Sequence, residues 1–305
     1  MTGRAPVAVY GKLSLMALLW GGTFIGGRIA SPEMPAVTIA LWRYVLAIAA
    51  LLILAYAMEG GLPRPTRRQW IGLVLMGATG VFLFNLCFMF ALARVTASRA
   101  SLIMALNPAM TLLAAALFLR ERLTRNKVIG IAIALAGVAV VLGHGNPMHL
   151  ASGGVGIGEM VMFGCPLAWA ANTLVARRML GGMSTIASTT WSAIAGTAML
   201  LLAATAMGTL LPEGASARAW AAIAFLAVFG TAVALVLFYD GVRRIGAARA
   251  SVFINLVPVF AVALGVLLLG EPLELSIVAG GALVIGGILL INLPEAPRGG
   301  ATHAA

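Results

Sequence analysis

The sequence predicts an all-α polytopic membrane protein, in which ten transmembrane helices form two inverted five-helix repeats around a central cavity. Three observations lead to this prediction. Hydrophobic residues make up 62% of the 305 residues, whereas charged residues make up only 10%. The apolar residues fall into ten separate stretches, each long enough to cross a bilayer. Finally, the second half of the chain repeats the first half in register.

The composition excludes a soluble domain, which carries about 25% charged residues. The net charge of +11 does not indicate a nucleic-acid partner, because the basic residues lie between apolar stretches and form no basic face. Cys87 and Cys165 both lie inside apolar stretches, so we expect buried thiols and no disulfide framework. We therefore expect the lipid bilayer as surroundings, with neither a metal site nor a cofactor.

The ten predicted spans follow from the rule that a helix needs about 20 apolar residues to cross the hydrocarbon core. They are 13–30, 36–57, 70–92, 97–119, 127–143, 156–179, 185–208, 220–242, 247–269 and 275–293. Proline, glycine and charged residues separate them, which is typical of turns. The connections are too short for a soluble domain.

These spans divide the chain into an N-terminal tail (1–11), a first repeat (12–143), an outer linker (144–155), a second repeat (156–293) and a C-terminal tail (294–305). Arg4 and Lys12 precede the first apolar stretch, as in a signal peptide. That stretch has a partner in the second half, however, so we assign it to the mature fold.

The distribution of basic residues predicts the orientation, because cytoplasmic loops are enriched in Lys and Arg. With the N-terminus inside, 15 basic residues lie in inner segments and 4 in outer segments, while Arg43 lies within the second span. This bias predicts that both termini are cytoplasmic and that the protein spans the inner membrane of a bacterial cell several times.

The internal repeat aligns many residues of the two halves at an offset of 149 or 150 positions. The aligned pairs are Trp20/Trp169, Arg28/Arg177, Trp42/Trp191, Trp70/Trp220, Arg94/Arg244, Arg99/Arg249, Ser101/Ser251, Pro108/Pro258, Glu121/Glu271, Gly130/Gly280 and Gly137/Gly287. Because each repeat has an odd number of spans, the two halves enter the membrane from opposite sides. Such inverted repeats are common in secondary transporters.

Arg43 is the charged residue that lies at some depth in a predicted span. Charged groups inside the membrane are functional candidates, because their burial is costly. A structural arginine that is paired or reaches outward is the alternative. Glu159 is the predicted partner of Arg43, and Asp240 is predicted to pair with Arg243 or Arg244.

Uncharged polar and aromatic residues within the spans form the predicted substrate site. They are Trp20, Thr23, Asn85, Asn107, Trp169, Asn172, Tyr239 and Asn255. Trp20 and Trp169 either line the cavity or belong to the interfacial aromatic belt that we predict for Trp70 and Trp220. If Trp20 and Trp169 only pack, the site would lie around Asn85 and Tyr239.

Pro108 and Pro258 lie at matching places in spans four and nine. Proline removes a backbone hydrogen bond and clashes with the preceding turn. Paired breaks of this kind in two corresponding spans indicate a central binding site, and we assign both prolines to helix breaks or gating. Spans five and ten carry almost no polar residues, which favours a peripheral role in packing or dimerisation.

The sequence resembles the drug/metabolite transporter superfamily, and specifically its EamA family. The residues that carry the resemblance are Trp20-Gly-Gly-Thr-Phe24, Arg43, Asn107-Pro108 through Leu119-Arg-Glu121-Arg-Leu123, and Val257-Pro258 through Leu269-Gly-Glu271-Pro-Leu273. The resemblance implies a basket-like bundle whose cavity is walled by spans one, three, four, six, eight and nine. It also implies export of metabolites, and the chain is most similar to exporters of aromatic amino acids.

We therefore expect a secondary transporter that exports a small-molecule substrate, above all neutral or aromatic amino acids, by alternating access. A nucleoside, a sugar or a cationic drug as substrate, or a channel, stays open as an alternative. A membrane-embedded enzyme is disfavoured, because no nucleophile motif or pair of carboxylates lies inside the spans. A homodimer and a monomer both fit the sequence.

Overall fold

The structure, a computed structural model, describes residues 7–121, 123–146, 148–149, 155–212 and 214–293. Within them, ten long helices follow one another along the chain. They are α1 (Val7–Ala30), α2 (Ala36–Glu59), α3 (Arg67–Leu92), α4 (Ala97–Leu119), α5 (Arg125–Leu142), α6 (Ile157–Met179), α7 (Thr185–Ala206), α8 (Ala217–Ile245), α9 (Arg249–Leu269) and α10 (Leu275–Ile291). Of these, nine are long and apolar enough to cross a membrane, and α10 is a shorter apolar helix. The all-α fold that the sequence predicts is confirmed.

Several helices extend past the predicted spans, because polar residues cap them beyond the apolar stretch. The side chains of Thr66 and Ser216 accept hydrogen bonds from the first turns of α3 and α8, which both begin three residues before their predicted spans. Thr96 and Ser184 cap α4 and α7 in the same way, and these two helices begin where predicted. Such caps satisfy amide groups that have no partner inside the helix. At the N-terminus, α1 begins at Val7, inside the predicted tail 1–11. The predicted tail 294–305 and half of the linker 144–155 lie outside the described residues.

Matching helices of the two sequence repeats are irregular at matching places. A π-helical segment interrupts α3 at Gly77–Leu83 and α8 at Val228–Val233. In α4 the regular helix ends at Met104 and resumes at Asn107, and α9 contains a 3₁₀ turn at Phe253–Asn255. The irregular turns of α4 and α9 lie just before Pro108 and Pro258, where the proline ring disfavours a regular helix.

Helices α5 and α10 pack against each other at the edge of the bundle through glycines. A Cβ atom added to Gly130 would lie 2.6 Å from the backbone oxygen of Gly287, and one added to Gly137 would lie 2.6 Å from that of Gly280. Small residues let two membrane helices approach this closely. The sequence repeat aligns Gly130 with Gly280 and Gly137 with Gly287. At the interface each glycine contacts the counterpart of the other one, so that the two contacts are related by the repeat.

Four tryptophans form two edge-to-face pairs between α2 and α8 and between α3 and α7. The ring centroids of Trp42 and Trp220 lie 5.5 Å apart, and those of Trp70 and Trp191 lie 5.0 Å apart. Trp42 donates to the backbone oxygen of Leu210, and Trp191 donates to that of Pro63. Because Trp42 aligns with Trp191 and Trp220 aligns with Trp70, the two pairs occupy equivalent positions in the sequence repeat.

The two ends of the bundle are packed differently. We call the end with the α1–α2 and α3–α4 loops the outer end and the opposite end the inner end, after the predicted orientation. One large core fills the outer half and joins α1, α3, α4, α6, α8 and α9 through Phe24, Phe88, Ile103, Met162, Ile223 and Ala261. In the inner half the core is divided into separate clusters.

Candidate functional site

Trp20 and Thr23 of α1 are held against the π-helical segment of α8. The Trp20 indole donates to the Gly230 backbone oxygen at 3.1 Å, and the Thr23 hydroxyl donates to the Trp20 backbone oxygen at 2.6 Å. Only a glycine fits at position 230, because a Cβ atom there would lie 2.6 Å from the Thr23 methyl carbon. Both side chains are thus packed into a helix crossing.

Asn172 of α6 occupies the equivalent crossing with α3. A Cβ atom added to Gly80 would lie 2.7 Å from Asn172 Oδ1, and Gly80 aligns with Gly230 in the sequence repeat. Trp169 differs from its counterpart Trp20, because its side chain is 43% exposed. Its nearest aromatic neighbour is Phe84, at 5.9 Å between centroids.

Arg43 of α2 and Asn85 of α3 form a buried polar pair. Arg43 Nη1 donates to Asn85 Oδ1 at 2.9 Å, and the amide nitrogen of Asn85 donates to the Val81 backbone oxygen. The Arg43 guanidinium also lies 5.5 Å from the centre of the Tyr44 ring. Arg43 is only 8% exposed, and its Nε has no hydrogen-bond partner.

The predicted pairing of Arg43 with Glu159 is wrong. Glu159 lies at the outer end beside Arg99, with 3.5 Å between Arg99 Nη1 and Glu159 Oε1. Because α6 begins at Ile157, Glu159 is in its first turn and stays close to the outer end, whereas Arg43 is two turns into α2. Asp240 pairs with Arg244 as predicted, and with Lys12 of α1 as well.

The remaining predicted residues are distributed over different parts of the bundle. Asn107 Oδ1 and Asn255 Nδ2 are both buried without a hydrogen-bond partner, each beside the irregular turn of its helix. Asn255 lines a crevice with Ile285 and Leu289 of α10, at the edge of the bundle. Tyr239 interacts with Thr185 and Thr189 of α7 and lies near Glu59. Pro108 is half-buried and Pro258 is buried.

An open cavity of about 640 Å³ lies at the inner end, which the sequence did not predict. It is lined by residues 59–63, Gly182 and Ser184, from the α2–α3 and α6–α7 connections. Among the described residues, no three His, Cys, Asp or Glu side chains lie close enough to bind a metal ion.

Two further features are not among the predicted site residues. Glu271 was aligned with Glu121, but its role as a cap of α4 depends on a contact across 173 or 174 positions. Pro166 lies inside α6 without a proline at the matching place in α1. An interior proline is a known cause of helix kinks.

The comparisons with known proteins agree with this architecture. The sequence matches the EamA-like transporter family over residues 10–143 and 156–293. The uncharacterised transporter YyaM of Bacillus subtilis is 28% identical over 94% of this chain and 95% of its own. A probable terminal-alkyne amino-acid exporter of Streptantibioticus cattleyicolor is 31% identical over 92% of each chain.

One chain of known crystal structure covers 93% of this chain and 97% of its own length, with a TM-score of 0.65. At 19% identity this likeness shows the fold alone. The family match extends over both halves of the chain and thus over all ten helices. The chain therefore belongs to the EamA-like transporter family and is a multi-pass membrane transporter.

Proposed function

We propose that this transporter exports neutral or aromatic amino acids, and that the carboxylate of the substrate binds Arg43. The observation that carries this proposal is a buried guanidinium without a carboxylate in reach among the described residues. Burying a charge is costly unless it is paired and hydrogen-bonded. Asn85 supplies one neutral acceptor, so the guanidinium keeps donors for an anionic ligand.

The chemistry of Arg43 fits a carboxylate, because a guanidinium binds two carboxylate oxygens at once. Ser192 replaces Arg43 in the second repeat, which suits a substrate with a single anionic group. A sugar phosphate would need several cations, and a cationic drug would be repelled by Arg43. The half-exposed ring of Trp169 offers an apolar surface for a large side chain.

The proposed mechanism is alternating access between two inverted repeats, with both termini in the cytoplasm and the protein in the bacterial inner membrane. The repeat-related glycine and tryptophan contacts support a pseudo-two-fold relation between the halves. The amino-acid exporter among the relatives supports both the substrate class and the direction. A channel would also use such helices, but it would not give counterflow, which requires a site that faces one side of the membrane at a time.

Counterflow in proteoliposomes tests the substrate. Vesicles loaded with unlabelled phenylalanine should accumulate labelled phenylalanine saturably, and a parallel panel should contain small amino acids, sugars and nucleosides. Phenethylamine, which lacks the carboxylate, is the matched probe for Arg43. We expect Arg43→Gln to raise the half-saturation concentration for phenylalanine about tenfold or more, as loss of a charged hydrogen bond implies. Transport of phenethylamine, a cation that Arg43 repels, should not be impaired by the same substitution.

Arg94→Gln is the control, because Arg94 is exposed and its side chain bonds to the Phe90 backbone oxygen of its own helix. Equal loss of phenylalanine and phenethylamine transport in a folded Arg43→Gln protein would assign Arg43 a structural role. Flux that grows linearly with concentration and shows no counterflow would favour a channel. If no amino acid in the panel is transported, the substrate proposal is wrong.

A further inference from the structure

Two groups of three helices contact each other at the outer end of the bundle but separate at the inner end. Group A consists of α1, α8 and α9, and group B consists of α6, α3 and α4, their partners in the sequence repeat. Gly27 of α1 packs against Leu92 of α3, and Phe24 lies 5.2 Å from Phe88 between ring centroids. The structure is therefore closed at the outer end.

In the inner half, each group has a core of its own. Val9, Leu13 and Met16 of α1 pack against Ala234 and Ala250 of group A. A different cluster joins Leu73 and Met76 of α3 to Leu180, which follows α6. The structure thus has the arrangement expected of an inward-facing state.

At the closed outer end, Glu271 joins the two groups. Its carboxylate accepts hydrogen bonds from the backbone nitrogens of Ala97 and Ser98 at 2.6 and 3.0 Å, and from the Ser98 hydroxyl at 2.6 Å. Glu271 follows α9, whereas Ala97 and Ser98 begin α4. The carboxylate is 8% exposed, and Gly265 leaves room for it, because a Cβ atom there would lie 2.7 Å from Glu271 Oε2.

Glu121 stands at the matching place at the inner end. It follows α4 as Glu271 follows α9. The sequence separation between Ala97 and Glu121 equals that between Ala247 and Glu271. Both glutamates follow a residue with left-handed backbone, Arg120 at φ 56° and Gly270 at φ 66°. Their backbone nitrogens also bond to equivalent residues, Ala115 and Gly265. The local turn therefore holds the two side chains alike.

In this structure Glu121 does not cap α9. It instead accepts a hydrogen bond from Arg177 of its own group B at 3.0 Å, and its side chain is 44% exposed. The residue at the N-cap of the helical segment Ala247–Val252 is Gly246, which has no side chain to cap it. The Glu121 carboxylate belongs to group B, whereas the backbone amides of Ala247 and Ala248 belong to the helical segment Ala247–Val252 of group A, on the other side of the inner opening.

We propose that Glu271 and Glu121 are alternating latches of the transport cycle. Glu271 binds the first amides of α4 when the outer end is closed. When the inner end closes, Glu121 leaves Arg177 and binds the backbone amides of Ala247 and Ala248, while Glu271 releases α4. This inference rests on the proposed alternating access but not on the identity of the substrate. The second latch lacks a hydroxyl, since Ala248 replaces Ser98, and it is therefore the weaker one.

Thiol labelling without substrate tests the latches. Leu92→Cys, on a background with Cys87→Ala and Cys165→Ala, reports opening of the outer end, because Leu92 is buried between α3 and α1. We expect Glu271→Gln to raise the labelling rate by an impermeant maleimide at least about fivefold, as loss of charge-assisted hydrogen bonds implies. Glu121→Gln should lower it or leave it unchanged, because it destabilises the opposite state.

The double variant Glu271→Gln, Glu121→Gln should label more slowly than Glu271→Gln alone, whereas a general folding defect would not be reversed. Ser98→Ala removes one of three hydrogen bonds and should shift labelling in the same direction by less, which keeps the test valid if Glu271→Gln folds poorly. Glu59→Gln is the control, because Glu59 bonds to Ser184 at the inner end. Equal increases in both single variants, or no increase with Glu271→Gln, would overturn the proposal.

A spin-label distance across the inner opening gives a second readout. Phe118 of α4 and Arg243 of α8 are exposed and belong to different groups, so Phe118→Cys and Arg243→Cys can carry the labels. The distance between the labels should shift to shorter values in Glu271→Gln and stay long in Glu121→Gln. If labelling and distance respond as expected while no amino acid is transported, the results support the two latches and contradict the proposed substrate class.

Discussion

Trp20 and Trp169 occupy matching places in the sequence but have different surroundings. Trp20 donates to the Gly230 backbone oxygen and lies 5.8 Å from Phe238 between ring centroids. Trp169 has no equivalent hydrogen bond in the structure and is 43% exposed. A partly buried tryptophan whose indole nitrogen is bonded contributes to stability, whereas an exposed ring is available for binding.

We therefore expect different effects from the two alanine substitutions. Trp20→Ala should lower the free energy of unfolding by about 3–5 kcal/mol, since it leaves a cavity and an unpaired carbonyl. Trp169→Ala should leave stability nearly unchanged and should raise the half-saturation concentration for large apolar substrates, by up to about 1–3 kcal/mol. Thermal unfolding in detergent and counterflow measure the two effects. Reversed effects would contradict the roles assigned here.

Glu33 at the outer end provides a pH-dependent contact between the two halves. Hydrogen bonds from the Ser216 backbone nitrogen and hydroxyl lower the pKa of the Glu33 carboxyl below its ordinary value. A lowered pKa in the folded state means that the contact stabilises the protein above the ordinary pKa and is lost as the pH falls through the folded value.

We expect Glu33→Ala to lower the melting temperature at pH 7, because it removes both hydrogen bonds. The difference from the wild type should shrink on acidification below about pH 4.5, the range in which free glutamate becomes protonated. Thermal unfolding of both proteins between pH 3 and pH 7 measures this. A difference that is constant over this range would show that the charge of Glu33 has no role.

At the scale of elements, the close packing of α5 and α10 depends on glycines. A Cβ atom at Gly130 would lie 2.6 Å from the backbone oxygen of Gly287, and backbone cannot move aside as a side chain can. Gly286 is on the other face of α10, where a Cβ atom would meet nothing within 4 Å. The chain thus offers a matched pair of glycines with opposite expected responses.

Gly130→Ala should destabilise the protein by about 1–3 kcal/mol, the range for overpacking a tight contact. Gly286→Ala should be neutral or stabilising by up to about 1 kcal/mol, because alanine favours the helix over glycine. Denaturation in detergent micelles measures both changes. If both variants behave alike, the crosswise glycine contact does not determine the packing of α5 and α10.

At the scale of the whole molecule, the predicted orientation rests on the distribution of basic residues. The basic residues Arg67 and Arg125 begin α3 and α5 at the predicted inner end, and Arg218 lies near the start of α8 at the predicted outer end. Cytoplasmic loops carry the excess of arginine and lysine because such loops are retained inside during insertion.

Single cysteines at these positions test the orientation in intact cells. On a background without Cys87 and Cys165, we expect an impermeant maleimide to label Arg218→Cys and to leave Arg67→Cys and Arg125→Cys unlabelled until the membrane is permeabilised. Labelling of Arg67→Cys in intact cells would reverse the assignment and would exchange the inner and outer ends throughout.

Much of the fold could be predicted from sequence, because the signals are local. Apolar length marks each span, and polar caps such as Thr66 and Ser216 explain why helices exceed the apolar stretches. The site was harder to predict. Arg43 was identified as a buried charge, but its partner is Asn85 rather than Glu159, since the partner depends on the depth and rotation of a second helix.

The sequence by itself determined the number of helices, their membrane character and the register of the repeat. Hydrocarbon forces every backbone polar group to be satisfied within its own helix, so the apolar stretches alone define the spans. Only the tertiary structure decided which polar groups meet. The bonds of Arg43 to Asn85 and of Glu271 to Ala97 and Ser98 join distant parts of the chain. Such contacts depend on how helices cross, a property of the packed bundle that no single apolar stretch encodes.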